Sequence, residues 1–151
     1  MHTIKTTKKI RAPYKNVWQL IWEIKAWAHF WEPLQVVDIL YEDGMHQDFV
    51  MSLSWQNRDA SIRTVRFCAQ DGTIHFFSPV PPFPTTIHQG SWKFASHGDD
   101  AVELTATRWF ELPMLEKEST DNYLQRLKIF SQEFQVRLET LLERLGTVCE
   151  K

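Results

Sequence analysis

From Gln47 to Trp55, Phe49, Met51 and Leu53 fall on one parity and Val50, Ser52 and Ser54 on the other. Side chains on a strand point to opposite faces in turn, so this pattern predicts a strand with one strongly apolar face. Residues 2–11, Leu34–Tyr41, 60–69, Thr73–Ser78, Thr86–Ala95 and Val102–Leu112 have similar strand character. Turn signals separate several of them: Glu42-Asp43-Gly44, Asp71-Gly72, and the run from Ser96 to Asp100. Pro79, Pro81, Pro82 and Pro84 predict a stiff loop outside any sheet interior. The short connections predict an antiparallel meander.

Elsewhere the apolar period is three to four. Pro13 opens a helix carrying Val17, Trp18, Leu20, Ile21, Trp22 and Ile24. A second short helix is expected over Ala26 to Trp31, ending before Pro33. Near the end, Leu124, Leu127, Phe130, Phe134, Leu138, Leu141 and Leu145 form one apolar stripe on a long helix. Thr120 or Asp121 is expected to cap its start and Gly146 its finish. The order is strand, two short helices, a series of strands, one long helix. This predicts a single α+β domain over residues 1–151, with the long helix packed on an antiparallel sheet; if that sheet is strongly curved, the helix bridges its mouth and leaves a cavity beneath.

Composition narrows the function. Seven Trp, ten Phe and three Tyr in 151 residues call for a bulky core or a lined cavity. A net charge of −2 gives no basic field for nucleic acid. No apolar run approaches the roughly 20 residues of a membrane helix. The start, MHTIKTTKKIRA, lacks the apolar core of a signal peptide. Two cysteines, Cys68 and Cys149, make a disulfide framework unexpected and a cytoplasmic location the default. The six histidines show no metal-binding spacing, and there is no phosphate-binding glycine loop, so neither a metal nor another cofactor is expected.

Residues 60–68 pose a question of orientation. One face of this strand carries Ile62, Thr64, Arg66 and Cys68, the other Ser61, Arg63, Val65 and Phe67. Each is mostly apolar with one arginine, and parity leaves the two arginines tied. His88 is in phase with Gly90, Trp92 and Phe94, and Arg108 with Leu104, Ala106 and Phe110. An inward arginine offers a permanent planar donor to carbonyl and enolate oxygens, and an inward histidine offers proton transfer. The plainer readings are an arginine paired at the sheet edge, a histidine bonded to backbone at the rim, and a threonine present for its strand propensity.

The chain resembles the START-like helix-grip superfamily, and within it the single-domain polyketide aromatase/cyclases. The residues that carry the resemblance are Ala12-Pro13-Tyr14-Lys15-Asn16-Val17-Trp18, the segment Trp27 to Leu34, Ser61-Ile62-Arg63-Thr64-Val65-Arg66, Pro82-Phe83, the Trp-Phe-Glu-Leu around residue 110, and Asp121-Asn122 on the last helix. It implies a curved sheet of about seven strands gripping the long helix. It also places Ile62, Thr64 and Arg66 on a pocket wall and Arg63 outside. A pocket aromatic falls on Trp31. A family tyrosine falls on Leu34, a second arginine near Ser78 and a tryptophan on Ala106, so a phenol and a cation are replaced here. Arg108 is the candidate substitute for that cation.

The resemblance implies a cyclase that folds a poly-β-ketone, delivered on an acyl carrier protein, and promotes aldol closure, dehydration and aromatisation. Arg66, Thr64 and His88 are the candidate catalytic residues. Trp31, Leu34, Ile62, Ser78, Phe83, Trp92 and Arg108 are the candidate substrate-binding residues. A homodimer is compatible with this reading; nucleic acid and membrane insertion are not expected. The alternative is a non-catalytic carrier of a lipid, quinone or aromatic polyketide.

Overall fold

The structure is a computed structural model that describes residues 1–55 and 57–151. Seven strands make one antiparallel sheet: β1 (His2–Ile10), β2 (Leu34–Glu42), β3 (His46–Trp55), β4 (Arg58–Cys68), β5 (Ile74–Val80), β6 (Ile87–Ser96) and β7 (Val102–Glu111). Their spatial order is β1-β7-β6-β5-β4-β3-β2. Strands β2 to β7 form the expected meander, and β1 closes it by pairing with β7, Ile4 opposite Arg108. Helix α1 (Tyr14–Trp22) and a 3-10 helix (Ile24–His29) follow β1, and helix α2 (Thr120–Cys149) ends the chain. This is the helix-grip architecture, a mixed α+β fold.

The core lies between the concave side of the sheet and the helices. Val17 and Ile21 of α1, Leu138, Leu142 and Leu145 of α2, and Leu104, Trp92 and Ile74 of the sheet are all buried there. Helix α2 runs close along β1, and among the described residues no strand from β2 to β5 approaches it comparably. Leu138, Leu142 and Leu145 of its second half are buried, whereas Leu127, Phe130 and Phe134 of its first half remain half-buried and Leu124 is exposed. The start of α2, beside β7, is therefore the less covered end of the grip.

Four details differ from the sequence expectations. The second helix is a 3-10 segment over Ile24–His29, earlier than Ala26 to Trp31. Helix α2 is capped by Ser119, whose Oγ accepts from the Asn122 amide at 3.1 Å. Gly146 does not end that helix; it is buried within it, where a Cβ would come within 2.8 Å of Lys8. Strand β5 includes Pro79, because the pairing with β4 shifts register between Arg63 and Val65 and the pairing with β6 stops at Phe77–Gln89. The ladder thus asks for no amide donor at Pro79.

Turns tie α1 to the sheet. Gly72, at φ +88°, follows β4, and the Trp18 indole donates to its carbonyl at 2.9 Å. The Tyr14 hydroxyl occupies the place a Cβ on Gly72 would take. Only glycine meets both the backbone and the space requirement.

Candidate functional site

Strand register places the inward candidates in rows. One row crosses the sheet as Gln47, Arg66, Phe76, Gly90 and Arg108. The adjacent row contains Phe49 opposite Thr64 and His88 opposite Phe110, with Ser78 joined to both Thr64 and His88 by side-chain hydrogen bonds. Arg66 faces inward and is 4 % exposed. Arg63 faces outward and holds Asp48 in a two-point ion pair, Nε to Oδ1 at 3.0 Å and Nη2 to Oδ2 at 2.7 Å.

The inward Arg66 is committed to the protein itself. Its Nη1 donates to the Ile21 carbonyl at 2.8 Å, and its Nη2 to the Trp22 carbonyl at 2.5 Å. Nε and Nη2 also donate to Gln47 Oε1 at 2.9 and 2.6 Å. Gln47 in turn donates to the Trp22 carbonyl at 2.9 Å. These carbonyls are orphan acceptors at the end of α1, where a cation also suits the helix dipole. The Trp22 and Phe49 rings cover the guanidinium at 5.3 and 5.2 Å. Arg66 therefore fastens α1 to β3 and β4.

Arg108 is placed differently. It is 5 % exposed and lies over Phe76 and Trp92, 4.6 and 4.5 Å from their ring centres. Nη1 donates to the Thr107 carbonyl at 3.1 Å, and Nε and Nη2 have no hydrogen-bond partner among the described residues. Neither nitrogen is sealed from solvent, since the Ser91 hydroxyl is the one described side-chain polar atom both sealed and unpartnered. No carboxylate pairs with Arg66 or Arg108 among the described residues. Burial works against the charge of both; at Arg66 the charge of Glu42 partly offsets this and that of Arg108 adds to it. Arginine keeps its proton regardless.

His88 packs between Phe76 and Phe134, at 5.2 and 5.8 Å between ring centres. Burial, and then the charge of Arg108, push its imidazole down to about 3. It is a neutral ring at ordinary pH. Its Nδ1 lies 3.3 Å from Ser78 Oγ, which lies 3.0 Å from Thr64 Oγ1. Ile62, one step along β4 from Thr64, is buried, as is Leu34 at the start of β2. Trp31 is half-buried against Trp27, and Trp92 is buried edge-on to Trp27 at 5.7 Å, as core rather than open wall. Phe83 does not join the interior: it is 81 % exposed on the β5–β6 loop, beneath Arg58.

The structure thus groups Thr64, Ser78 and His88, sets Arg108 in the neighbouring row, and assigns Arg66 to helix attachment. Gln47 and Phe76 complete the site and were not singled out from sequence. The signal for Gln47 was its parity with Phe49, Met51 and Leu53, which put a polar side chain on an inward face. A hollow of about 390 Å³ is lined by Gln47, Arg66 and Phe76 together with Tyr41 and Phe77, and another of about 540 Å³ lies beside Phe30 and Arg144; His88 and Arg108 line neither. Among the described residues no cluster of metal-ligating side chains occurs, and no helix is long and apolar enough to cross a membrane.

Comparison with solved structures matches this fold at low sequence identity. A START superfamily protein from Mycobacterium smegmatis superposes with a TM-score of 0.81 at 12% identity, over 99% of this chain and 98% of that one. Zhui aromatase/cyclase from Streptomyces sp. R1128 gives 0.77 at 16%, over 95% and 93%. The di-domain aromatase/cyclase StfQ of the steffimycin pathway gives 0.79 at 15%, covering 98% of this chain and 50% of that one. No curated protein sequence matches the chain significantly. The family model described as polyketide cyclase / dehydrase and lipid transport matches residues 10–118, most of the sheet and both short helices, and the chain belongs to that family.

Proposed function

We propose that the protein is a polyketide aromatase/cyclase. It takes a poly-β-keto chain, presented as a thioester on an acyl carrier protein, at the less covered end of the grip. There it promotes aldol closure, loss of water and aromatisation. The observation that carries this reading is Arg108: a buried guanidinium with two nitrogens free of partners among the described residues, one row from a half-buried imidazole. Aldol closure gathers negative charge on an oxygen, and a fixed cation stabilises that charge most where water is scarce. In this reading Arg108 takes the polarising role that the family resemblance gives to Arg66, and Arg66 holds α1 in position. His88 and Thr64 handle protons, Trp31, Leu34 and Ile62 supply apolar wall, and Phe83 meets the chain or its carrier at the rim. The sequence of steps is redox-neutral and uses no cofactor.

A second reading is a carrier of a hydrophobic ligand. It is favoured by the Trp27, Phe76 and Trp92 rings that fill much of the interior, and by an imidazole held neutral, since Arg108 alone would then orient a single polar group. The two separate in one experiment. A ketosynthase-built poly-β-ketone on its carrier protein is incubated with the wild-type chain and with Arg108→Met, and the ring patterns are compared. The enzyme reading expects a new pattern with wild type and its loss in the variant. Uptake of an aromatic ligand with unchanged products would favour the carrier and overturn the enzyme.

A further inference from the structure

Three neighbouring strands each contribute one hydroxyl or imidazole to a continuous hydrogen-bonded line. Thr64 of β4 lies 3.0 Å from Ser78 of β5, and Ser78 lies 3.3 Å from Nδ1 of His88 on β6. Thr64 and Ser78 are 5 % and 2 % exposed. Among the described residues the Thr64 hydroxyl has no partner besides Ser78, and His88 Nε2 has none and is not sealed from solvent. The outermost group at each end of the line is therefore free of other described protein partners.

Its protons have two arrangements. In one, Thr64 donates to Ser78 and Ser78 donates to Nδ1, so the ring proton sits on Nε2. In the other, Nδ1–H donates to Ser78 and Ser78 donates to Thr64, so Nε2 presents a lone pair and the Thr64 O–H is the free donor. Both arrangements make two hydrogen bonds and leave one donor at an outer end. No further partner fixes the choice, and which one is present is not visible in heavy-atom positions.

The surroundings oppose a charged ring. Arg108 faces His88 from β7, and from α2 the Arg137 guanidinium lies 5.6 Å from the Phe134 ring that packs on it. No carboxylate pairs with His88 among the described residues. A base at this position works best if it gives up one proton as it takes another.

We propose that Thr64, Ser78 and His88 form a two-ended, charge-neutral proton relay, in which His88 and Thr64 meet the substrate and Ser78 is the positioning residue between them. This rests on the cyclase reading of the site. In aldol closure Nε2 takes the proton of the attacking carbon, the freed electron pair forms the carbon–carbon bond, and the carbonyl π pair moves onto oxygen. That oxygen takes the Thr64 proton, Thr64 takes the Ser78 proton, and Ser78 takes the proton from Nδ1. The product is a neutral alcohol and His88 is a neutral ring with its tautomer exchanged. A water that gives a proton to Thr64 and takes one from Nε2 restores the starting state.

The test needs no substrate. Long-range proton–nitrogen correlation on the full chain reads both His88 ring nitrogens. In wild type both should lie between the protonated and bare positions, as the tautomers interchange. Thr64→Val leaves the Ser78 proton one acceptor in the line, Nδ1, so Nε2 should shift to the protonated position and Nδ1 to the bare one. Thr64→Ser should return the wild-type pattern and controls for folding. Nitrogens locked in one tautomer in wild type, or unmoved by Thr64→Val, would overturn the relay. A failed product assay would remove the cyclase reading and leave these nitrogen shifts standing, so the two failures are distinguishable.

Discussion

Nη2 of Arg66 lies 2.5 Å from the carbonyl oxygen of Trp22, the last residue of α1. Removing that side chain strands Gln47 Oε1 and takes one donor from each of the Ile21 and Trp22 carbonyls. Ile21 keeps its bond from the Trp27 indole and Trp22 its bond from Gln47, which limits the loss. Arg66→Ala is expected to destabilise the fold by about 3–4 kcal/mol, read from urea unfolding. A variant as stable as wild type with altered products would show that Arg66 serves the substrate rather than α1.

Arg108 should behave in the opposite way. Among the described residues its buried charge has no carboxylate partner and one hydrogen bond to protein. A long apolar side chain removes the desolvation cost and gives up the stacking on Phe76 and Trp92. Arg108→Met is expected to be at least as stable as wild type, by up to about 2 kcal/mol. Cyclised product should fall by about 100-fold or more. Thermal unfolding and the product assay together check this, and an unfolded variant would return Arg108 to a structural role.

The parts of the molecule legible in the sequence are those set by side-chain period. Strand positions follow from alternation, and α2 from its stripe. Parity divided Arg63 from Arg66, but both faces were apolar, so choosing the inward one needed the family resemblance. Ser119 was overlooked as a cap because Thr120 and Asp121, equally able to cap, stand beside it. Pro79 was placed outside the sheet because a register shift between strands leaves no mark in one strand's composition. The same limit hid the Thr64–Ser78–His88 line, which depends on how three strands align across that shift. The partners of Arg66 were hidden for another reason: two of them are backbone carbonyls, which every residue has.

Gly90 lies between Phe76 and Arg108 in the inward row. A Cβ there would collide with the Thr107 carbonyl oxygen and come within 2.8 Å of the Phe76 ring. The carbonyl belongs to the sheet and has little room to move. Gly90→Ala is expected to cost about 2–3 kcal/mol in urea unfolding and to disturb the Phe76–Arg108 stack. A neutral effect would mean that the row is looser than the Cβ geometry implies.

His88 links the site to acid stability. Burial, then Arg108, hold its folded value at about 3 against an ordinary 6.5. Between those values the unfolded chain binds a proton that the folded chain does not. Stability therefore rises with pH through that window and is lost as pH falls through it, by about 1.4 kcal/mol per unit. Above it His88 contributes no pH dependence. Asp43 and Glu118, both held at about 2 by hydrogen bonds from Tyr41 and Arg126, add loss in the same direction below the ordinary carboxylate range. Those groups remain in His88→Gln, so the difference between the two proteins isolates the imidazole. Urea unfolding at a series of pH values should show wild type losing about 2 kcal/mol relative to the variant between about pH 6 and pH 4.5. Parallel curves would mean that the ring takes up its proton in the folded state, and the relay would then have to carry a charged histidine beside Arg108.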